Sequence, residues 1–243
     1  MWHKPKLLNW TANGLFAVAI GMMLYATVYA LLHLPIFPIK EIKVDGKLSH
    51  VTREQIRLIA ERHLKGNFFT LNLARTRDAF EKLPWARKVS VRRLWPDQIV
   101  VVIEEHEALG RWGNVALVNT YGELFHAASD DDLPQLYGPA DGVLEVAKAF
   151  VHYGGILKQA NFNIAQISLS RRGAWDVKTS QGMSVALGRV DMDRRLSTFV
   201  KSYNNTLQQL NIKIDYADLR YPNGFAVRKP KSVIEKKVVK TSA

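Results

Sequence analysis

Between Leu15 and Leu34 the chain reads LFAVAIGMMLYATVYALLHL, with no Asp, Glu, Lys or Arg, and the run free of those residues extends from Leu7 to Ile39. At a helical rise of about 1.5 Å per residue such a segment covers roughly 30 Å, the hydrocarbon thickness of a bilayer. A stretch this apolar either crosses a membrane or is removed as a secretory signal. Val28-Tyr29-Ala30 fits a signal-cleavage site, but the apolar run continues through Leu31, Leu32 and Leu34, longer than a signal core. The reading is an uncleaved anchor over residues 15–34, with a tail of residues 1–14 before it and a body of soluble composition after it.

At 243 residues the chain leaves enough body for one large domain or two small ones, and two are expected. The formal charge of +12 invites a nucleic-acid reading. Arg228–Ala243, however, holds six basic residues against Glu235 alone, and Lys4 and Lys6 stand at the other end, so the span and body carry only a modest excess. Cysteine is absent, which excludes a disulfide framework and a thiolate metal site and fits either side of a membrane. Flanking charge leaves the orientation open. Lys4 and Lys6 precede the span, Lys40, Lys43, Lys47 and Arg53 follow it among Glu41 and Asp45, and long following domains translocate largely regardless of such charges.

Pro35 and Pro38 end the anchoring helix, because proline cannot donate into a helix and disfavours helical geometry in the residue before it. A short strand is expected over Ile39–Val44, ahead of a turn at Asp45-Gly46. Thr52 reads as an N-cap, with Gln55 in the capping-box position and Val51 against Ile56 as a hydrophobic staple. In the helix that follows, Ile56, Ile59, Ala60, His63 and Leu64 share a face up to Gly66. A second helix from Asn72 carries Leu73, Thr76, Phe80 and Leu83 on one stripe and closes at Pro84. Strands over Arg87–Leu94 and Gln98–Glu105 flank a turn at Trp95-Pro96-Asp97.

That strand, helix, helix, strand, strand order, with the string Leu83-Pro84-Trp85-Ala86-Arg87-Lys88-Val89-Ser90-Val91-Arg92-Arg93-Leu94-Trp95-Pro96-Asp97, resembles the polypeptide-transport-associated (POTRA) domain of the FtsQ/DivIB family of bacterial cell-division proteins. The resemblance continues through Asn119-Thr120-Tyr121-Gly122-Glu123-Leu124-Phe125 and Leu133-Pro134-Gln135-Leu136-Tyr137-Gly138-Pro139. It runs on through Leu187-Gly188-Arg189, Arg195-Leu196 with Phe199, and Asp218-Leu219-Arg220-Tyr221, in the family's order and behind its N-terminal anchor. It departs after the last POTRA strand, where Glu105-His106-Glu107-Ala108 stands in place of the family's proline.

The second half also reads from its own residues. Val115–Val118 and Gly122–Phe125 flank a turn, and a helix is expected over Val143–Gln159. Ile164–Ser170, Trp175–Thr179 and Met183–Leu187 read as strands parted by Arg172-Gly173 and Gln181-Gly182. From Asp191 a long helix puts Leu196, Phe199, Val200, Tyr203, Leu207 and Leu210 on one face. Strands over Ile212–Tyr221 and Phe225–Val227 meet at Pro222-Asn223-Gly224, and the shift of apolar residues from even to odd positions between Tyr216 and Leu219 predicts a bulge or bend. The expected fold class is α+β: a single N-terminal transmembrane helix, a POTRA domain (βααββ) over residues 39–108, and a mixed β domain over 109–228 with a long packed helix and C-terminal edge strands. Residues 229–243 form a basic disordered tail.

A search for chemistry finds little. No two of the histidines stand at helical metal-ligand spacing, and Gly154-Gly155 is not followed by the Lys-Ser or Lys-Thr of a phosphate loop. Glu104-Glu105-His106-Glu107 is the densest ionisable cluster, yet along a strand its members alternate between faces, and it reads as a solvated strand end with charged residues guarding an interdomain joint. Trp85, Trp95, Trp112 and Trp175 adjoin prolines, glycines and strand ends in a way that suits packing. No catalytic residue, cofactor or metal ligand is assigned, and the protein is not read as an enzyme. A membrane-anchored periplasmic hydrolase using the acidic-histidine cluster is the rival, and a POTRA-type transport component is a third reading, weakened by the lack of repeated POTRA units.

Binding remains, and an open edge strand is the device for it, since backbone groups supply affinity and alternate side chains supply selectivity. The candidate is the terminal hairpin, Asp218–Val227. The resemblance implies that the C-terminal strands bind an FtsB-type partner, which arrives with FtsL, by strand addition. The matching positions are Leu219, Arg220, Tyr221, Asn223 and Gly224, with Arg172 as an accessory contact. Arg228 and Lys229 stand where some relatives continue with a tryptophan. From the residues alone, Leu219 and Tyr221 also fit the core of an inner strand. For the POTRA domain the family implies a second recruiting surface toward components such as FtsK, at the edge carrying Val91, Arg92 and Arg93 or at the strand Ile39–Val44. The implied protein is a single-pass type II inner-membrane scaffold of the divisome, with its N-terminus cytoplasmic and its body periplasmic at the septum.

Overall fold

Helix α1, Pro5–His33, starts well ahead of the expected anchor. Pro5 occupies the first helical position, where its missing N–H would have no intrahelical partner anyway, and nothing between it and Leu15 interrupts the ladder. Asn9–Leu32 is long and apolar enough to cross a membrane, with a mean hydropathy of 2.1 and none of that window buried. Leu15 and Phe16 stand exposed on it. The computed structural model describes residues 5–33, 37–209 and 213–230. Leu34, Leu210, Ile212 and residues 231–243 of the expected tail lie outside the described residues.

The chain divides into two compact units, Met1–Glu105 and His106–Ala243. After α1 the first unit holds β1 (Glu41–Asp45), α2 (Arg53–His63), α3 (Leu73–Phe80), β2 (Ala86–Leu94) and β3 (Gln98–Glu105), the expected βααββ order. The sheet runs β1-β3-β2, with β1 parallel and β2 antiparallel to the central strand. Its register puts Ile42 beside Ile99, and Val91 beside Val101, on one face. Ile99, Val101 and Ile103 are fully buried there with Phe80. Gly46, at φ +138°, passes so close to the Ile103 carbonyl that any Cβ would overlap it. Both arms of the Thr52–Gln55 capping box form, and Asn72 caps α3. Of the four tryptophans expected to pack, Trp85 and Trp175 are buried, whereas Trp95 is 78% exposed at the β2–β3 turn, which turns it away from the helices.

The second unit is one nine-stranded sheet in the order β12-β11-β10-β9-β8-β7-β4-β5-β6. Its strands are β4 (Ala108–Trp112), β5 (Ala116–Asn119), β6 (Leu124–Phe125), β7 (Gln135–Tyr137), β8 (Ile164–Leu169), β9 (Trp175–Thr179), β10 (Ser184–Gly188), β11 (Tyr216–Asp218) and β12 (Ala226–Arg228). Helices α4 (Val143–Lys158) and α5 (Met192–Ser202) pack side by side on it, enclosing Leu136, Val146, Leu157, Ile167, Leu196 and Phe199.

Three features depart from expectation. Strands β4 and β7 are not signalled by periodicity, being short, and Gly110 in β4 lies too close to Leu136 to carry a side chain. The long helix is α-helical only to Ser202 and continues as a π-helical turn over Tyr203–Leu207. The strand expected over Ile212–Tyr221 is Tyr216–Asp218. It bends at Asp215, earlier than the parity shift predicts, and it stops where Asp218 Oδ1 accepts the Arg220 N–H at 3.0 Å, an Asx turn that diverts the backbone.

Candidate partner-binding surface

Among the described residues β12 pairs only with β11, antiparallel, with Tyr216 opposite Arg228, Ala217 opposite Val227 and Asp218 opposite Ala226. All three β12 residues are exposed. The Arg228 carbonyl accepts the Asp215 N–H at 2.9 Å, so by alternation the N–H and C=O of Val227 point to the open side. Arg228 is held over the Tyr216 ring, 5.1 Å from its centroid, and reaches Asp215 at 3.4 Å.

The approach to β12 holds most of the residues that the sequence singles out. Tyr221 is 55% exposed, and Asn223 and Gly224 stand exposed beside it, lining with Pro222 and Phe225 a shallow concavity of about 400 Å³. Phe225 is anchored edge-on against Phe199, centroids 5.3 Å apart, which fixes the base of the hairpin. Leu219 corrects the expectation. Its side chain is 1% exposed, in the core, and its N–H donates to the Ala186 carbonyl at 2.9 Å, so it presents neither side chain nor amide to a partner. Parity assigned Leu219 and Tyr221 to one face, and the Asx turn between them separates them.

Arg220 is forked onto Asp218, Nε to Oδ1 at 2.8 Å and Nη2 to Oδ2 at 2.6 Å. Those bonds hold the buried Asp218 carboxyl below its usual range against the opposing effect of burial, and they raise the Arg220 guanidinium further above its own. Burial pushes the nearby Asp176 carboxyl up.

Strands β8, β10 and β11 run in one direction, so their C-terminal ends and following loops meet at the same end of the sheet. There Arg172, Arg189, Arg195 and Arg220 line one cleft of about 460 Å³ with Ser170. Arg189 Nη1 donates to the Arg172 carbonyl at 3.3 Å and Arg195 Nη1 to the Arg220 carbonyl at 3.2 Å, while Arg195 Nε is buried without a hydrogen-bond partner among the described residues. Gly188, at φ +83°, lets the Arg220 stem lie against β10. Arg189 and Arg195 were not legible as site residues. They belong to a strand end and a helix that only the parallel β10–β11 pairing brings beside Arg220.

In the POTRA unit Val91, Arg92 and Arg93 lie on β2, an edge strand. Arg93 is a structural tie, donating to the carbonyls of Phe68 at 2.6 Å, Phe69 at 3.2 Å and Leu71 at 2.7 Å. Val91 is half-buried on the same face, and of the three only Arg92 is exposed on the other.

The acidic-histidine cluster is divided among separate structural duties. Glu104 pairs with Arg87 at 2.7 Å. Glu105 accepts the backbone N–H groups of Ser49 at 2.9 Å, His50 at 3.1 Å and Val51 at 2.7 Å. Burial pushes its carboxyl up, and those bonds outweigh burial and hold it below the usual range. His106 stacks on Phe125, centroids 4.1 Å apart, and accepts from the Asn119 amide at 2.9 Å. Among the described residues no group of three or more His, Asp or Glu is placed to hold a metal ion.

Residues 37–106 match the model of the FtsQ-type POTRA domain, and residues 110–220 match that of the C-terminal domain of cell division protein FtsQ/DivIB. The chain is 40% identical to the cell division protein FtsQ of Nitrosospira multiformis, over 94% of this chain and 99% of that one. It is 39% identical to the Burkholderia pseudomallei protein of the same name over 94% of each, and 30% identical to that of Coxiella burnetii over 79% of this chain and 80% of that one.

Proposed function

This chain belongs to the FtsQ/DivIB family of cell division proteins, and from that membership we propose that it is a membrane-anchored, non-enzymatic scaffold of the division machinery. Its β12 edge accepts a strand from an FtsB-type partner that arrives with FtsL. The observation that carries this reading is the coincidence, at one end of one sheet, of an open terminal strand with an arginine-lined cleft. Backbone pairing to Val227 would supply register, Tyr221 and the hairpin a contact surface, and the four guanidinium groups donors for acidic side chains flanking the partner's strand.

The N-terminus lies in the cytoplasm, and both units lie in the periplasm at the septum. Anchoring in one plane makes encounters between several weakly held partners effectively intramolecular, so α1 is part of the mechanism. The test is capture of a purified FtsB-type partner by the full chain in detergent. Tyr221→Asp should abolish capture while leaving the circular-dichroism melt unchanged, because the side chain is exposed. Loss of fold together with capture would refute the assignment.

A further inference from the structure

Among the described residues the POTRA sheet has two open edges, and they are not equivalent. Beside β2 the helix-bearing face is filled: α3 buries Thr76, Ala79 and Phe80, and the Arg93 guanidinium crosses to three carbonyls of the α2–α3 connection. Beside β1 it is open. Helix α2 is amphipathic and fully capped, yet none of its residues is buried. Between α2 and β1 runs a groove of about 420 Å³ lined by Ile42, Val44, Ile56, Ala60 and Leu64. The apolar stripe of α2, Ile56, Ile59, Ala60 and Leu64, is only half-covered, which leaves room for a further layer against it.

The β1 edge supplies backbone groups to match. The Asp97 carbonyl accepts the N–H of Lys40, the residue before β1, at 2.9 Å. In an extended strand the N–H and C=O of one residue leave on the same side and successive residues alternate. The Ile103 carbonyl lies against Gly46, its opposite in register, so the odd residues of β3 turn their backbone groups toward β1. In a parallel pair these bond to the residues flanking their opposites, so the backbone groups of Glu41, Lys43 and Asp45 face β3 and those of Ile42 and Val44 face outward. The side chains of Ile42 and Val44, beside Ile99 and Val101, point to the helix-bearing face. A strand laid along β1 would bond to residues 42 and 44 and drop every second side chain into the groove. Arg53 and Arg57 form the rim. Arg57 is answered by Glu61 at 2.8 Å, whereas Arg53 has no ion-pair partner among the described residues.

We propose that the β1 edge and the α2 groove dock an extended segment of a partner protein, apolar at two alternate positions and acidic at the next on the same face, which joins the sheet as a further strand beside β1. The proposal rests on the scaffold reading and assigns the POTRA recruiting surface to β1 rather than to β2. It makes no use of the β12 edge, so the two fail separately.

The probe is the fluorescein-labelled peptide TVTVTE, which carries two valines and a glutamate on one face, titrated against the full chain in detergent micelles by fluorescence anisotropy. Ile42→Pro removes an outward N–H without touching the bonds to β3, and edge strands tolerate proline. Arg53→Glu reverses the rim charge from an exposed helical position. Saturable binding, weakened about tenfold or more by either change, weaker for the lysine-ended TVTVTK, and unaltered by Arg92→Glu on β2, is the expected result. Circular dichroism checks that each variant is folded, and both β1-side variants should still capture the FtsB-type partner. Absence of saturable binding, equal binding of TVTVTK, or wild-type affinity in a folded Ile42→Pro chain overturns the proposal. So does a dimer in sedimentation that Ile42→Pro dissociates, which would make a second copy the occupant.

Discussion

Replacing Glu105 by Ala separates a structural carboxylate from a catalytic one. Its side chain is only 7% exposed, and it receives the backbone N–H groups of Ser49, His50 and Val51 where the chain enters α2. Ser49 and His50 are exposed, so water takes over their bonds at a net loss of about 0.5–1.5 kcal/mol each. Val51 is buried, and stranding its N–H, now bonded at 2.7 Å, costs about 1–3 kcal/mol. The POTRA unit should therefore lose about 2–6 kcal/mol, which lowers the melting temperature of a unit this small by roughly 10 °C or more. Glu105→Gln, which keeps one acceptor oxygen, should lose about half as much. The loss should be localised: amide exchange at residues 49–56 rises, because the Thr52 cap immediately follows.

The same contact predicts a pH dependence. Because the folded carboxyl sits below its ordinary value, its stabilisation is fully present above the unfolded-chain value and disappears as the pH falls through the lower folded one. The wild-type melt should drop steeply below about pH 4, and Glu105→Ala should lack that component. Calorimetry of the full chain in detergent at pH 7 and pH 3 reads both effects. A Glu105→Ala chain that melts within a degree or so of wild type, or one that keeps its melt and fails to support division, would refute the capping account and restore the hydrolase reading.

Leu219→Ala should cost about 2–4 kcal/mol as a core truncation, with partner capture lost only in parallel with the melt, the opposite pattern to Tyr221→Asp. Asp218→Asn should release the Arg220 fork and leave its charge uncompensated, so capture of a partner through acidic side chains becomes more salt-dependent, as measured by titration at low and moderate ionic strength. Arg93→Met should destabilise the POTRA unit by about 1–3 kcal/mol in denaturant titrations while Arg92→Ala stays near neutral, because only Arg93 serves three carbonyls. Alkaline phosphatase fused at the C-terminus should be active in cells, and inactivity would place the body in the cytoplasm.

The POTRA elements were legible because each carries a local signal: the Thr52 box, the Asn72 cap, and the apolar alternation of Ile99, Val101 and Ile103. Strands β4 and β7 carry none, since a few residues cannot display a period and Gly110 has no side chain to count. At the terminal hairpin, parity placed Leu219 and Tyr221 together. It failed because a side-chain bond from Asp218, which no periodicity registers, turns the chain between them. The acidic run at Glu104–Glu107 does mark a strand end, but the Glu105 side chain is buried rather than solvated, because the parallel pairing of β1 with β3 brings it a loop more than fifty residues earlier.

The sequence by itself determined what is local along the chain: a charge-free stretch long enough to span a bilayer, the βααββ order, the helix caps, and the motifs that carry the family resemblance. Tertiary structure alone decided which strands are edges, which of two POTRA edges has an open groove, and which arginines share a cleft. Periodicity specifies which face of a strand is buried and says nothing of its neighbour. Edge status follows from strand order, and the cleft follows from three strands that run in one direction and deliver distant loops to the same end of a sheet.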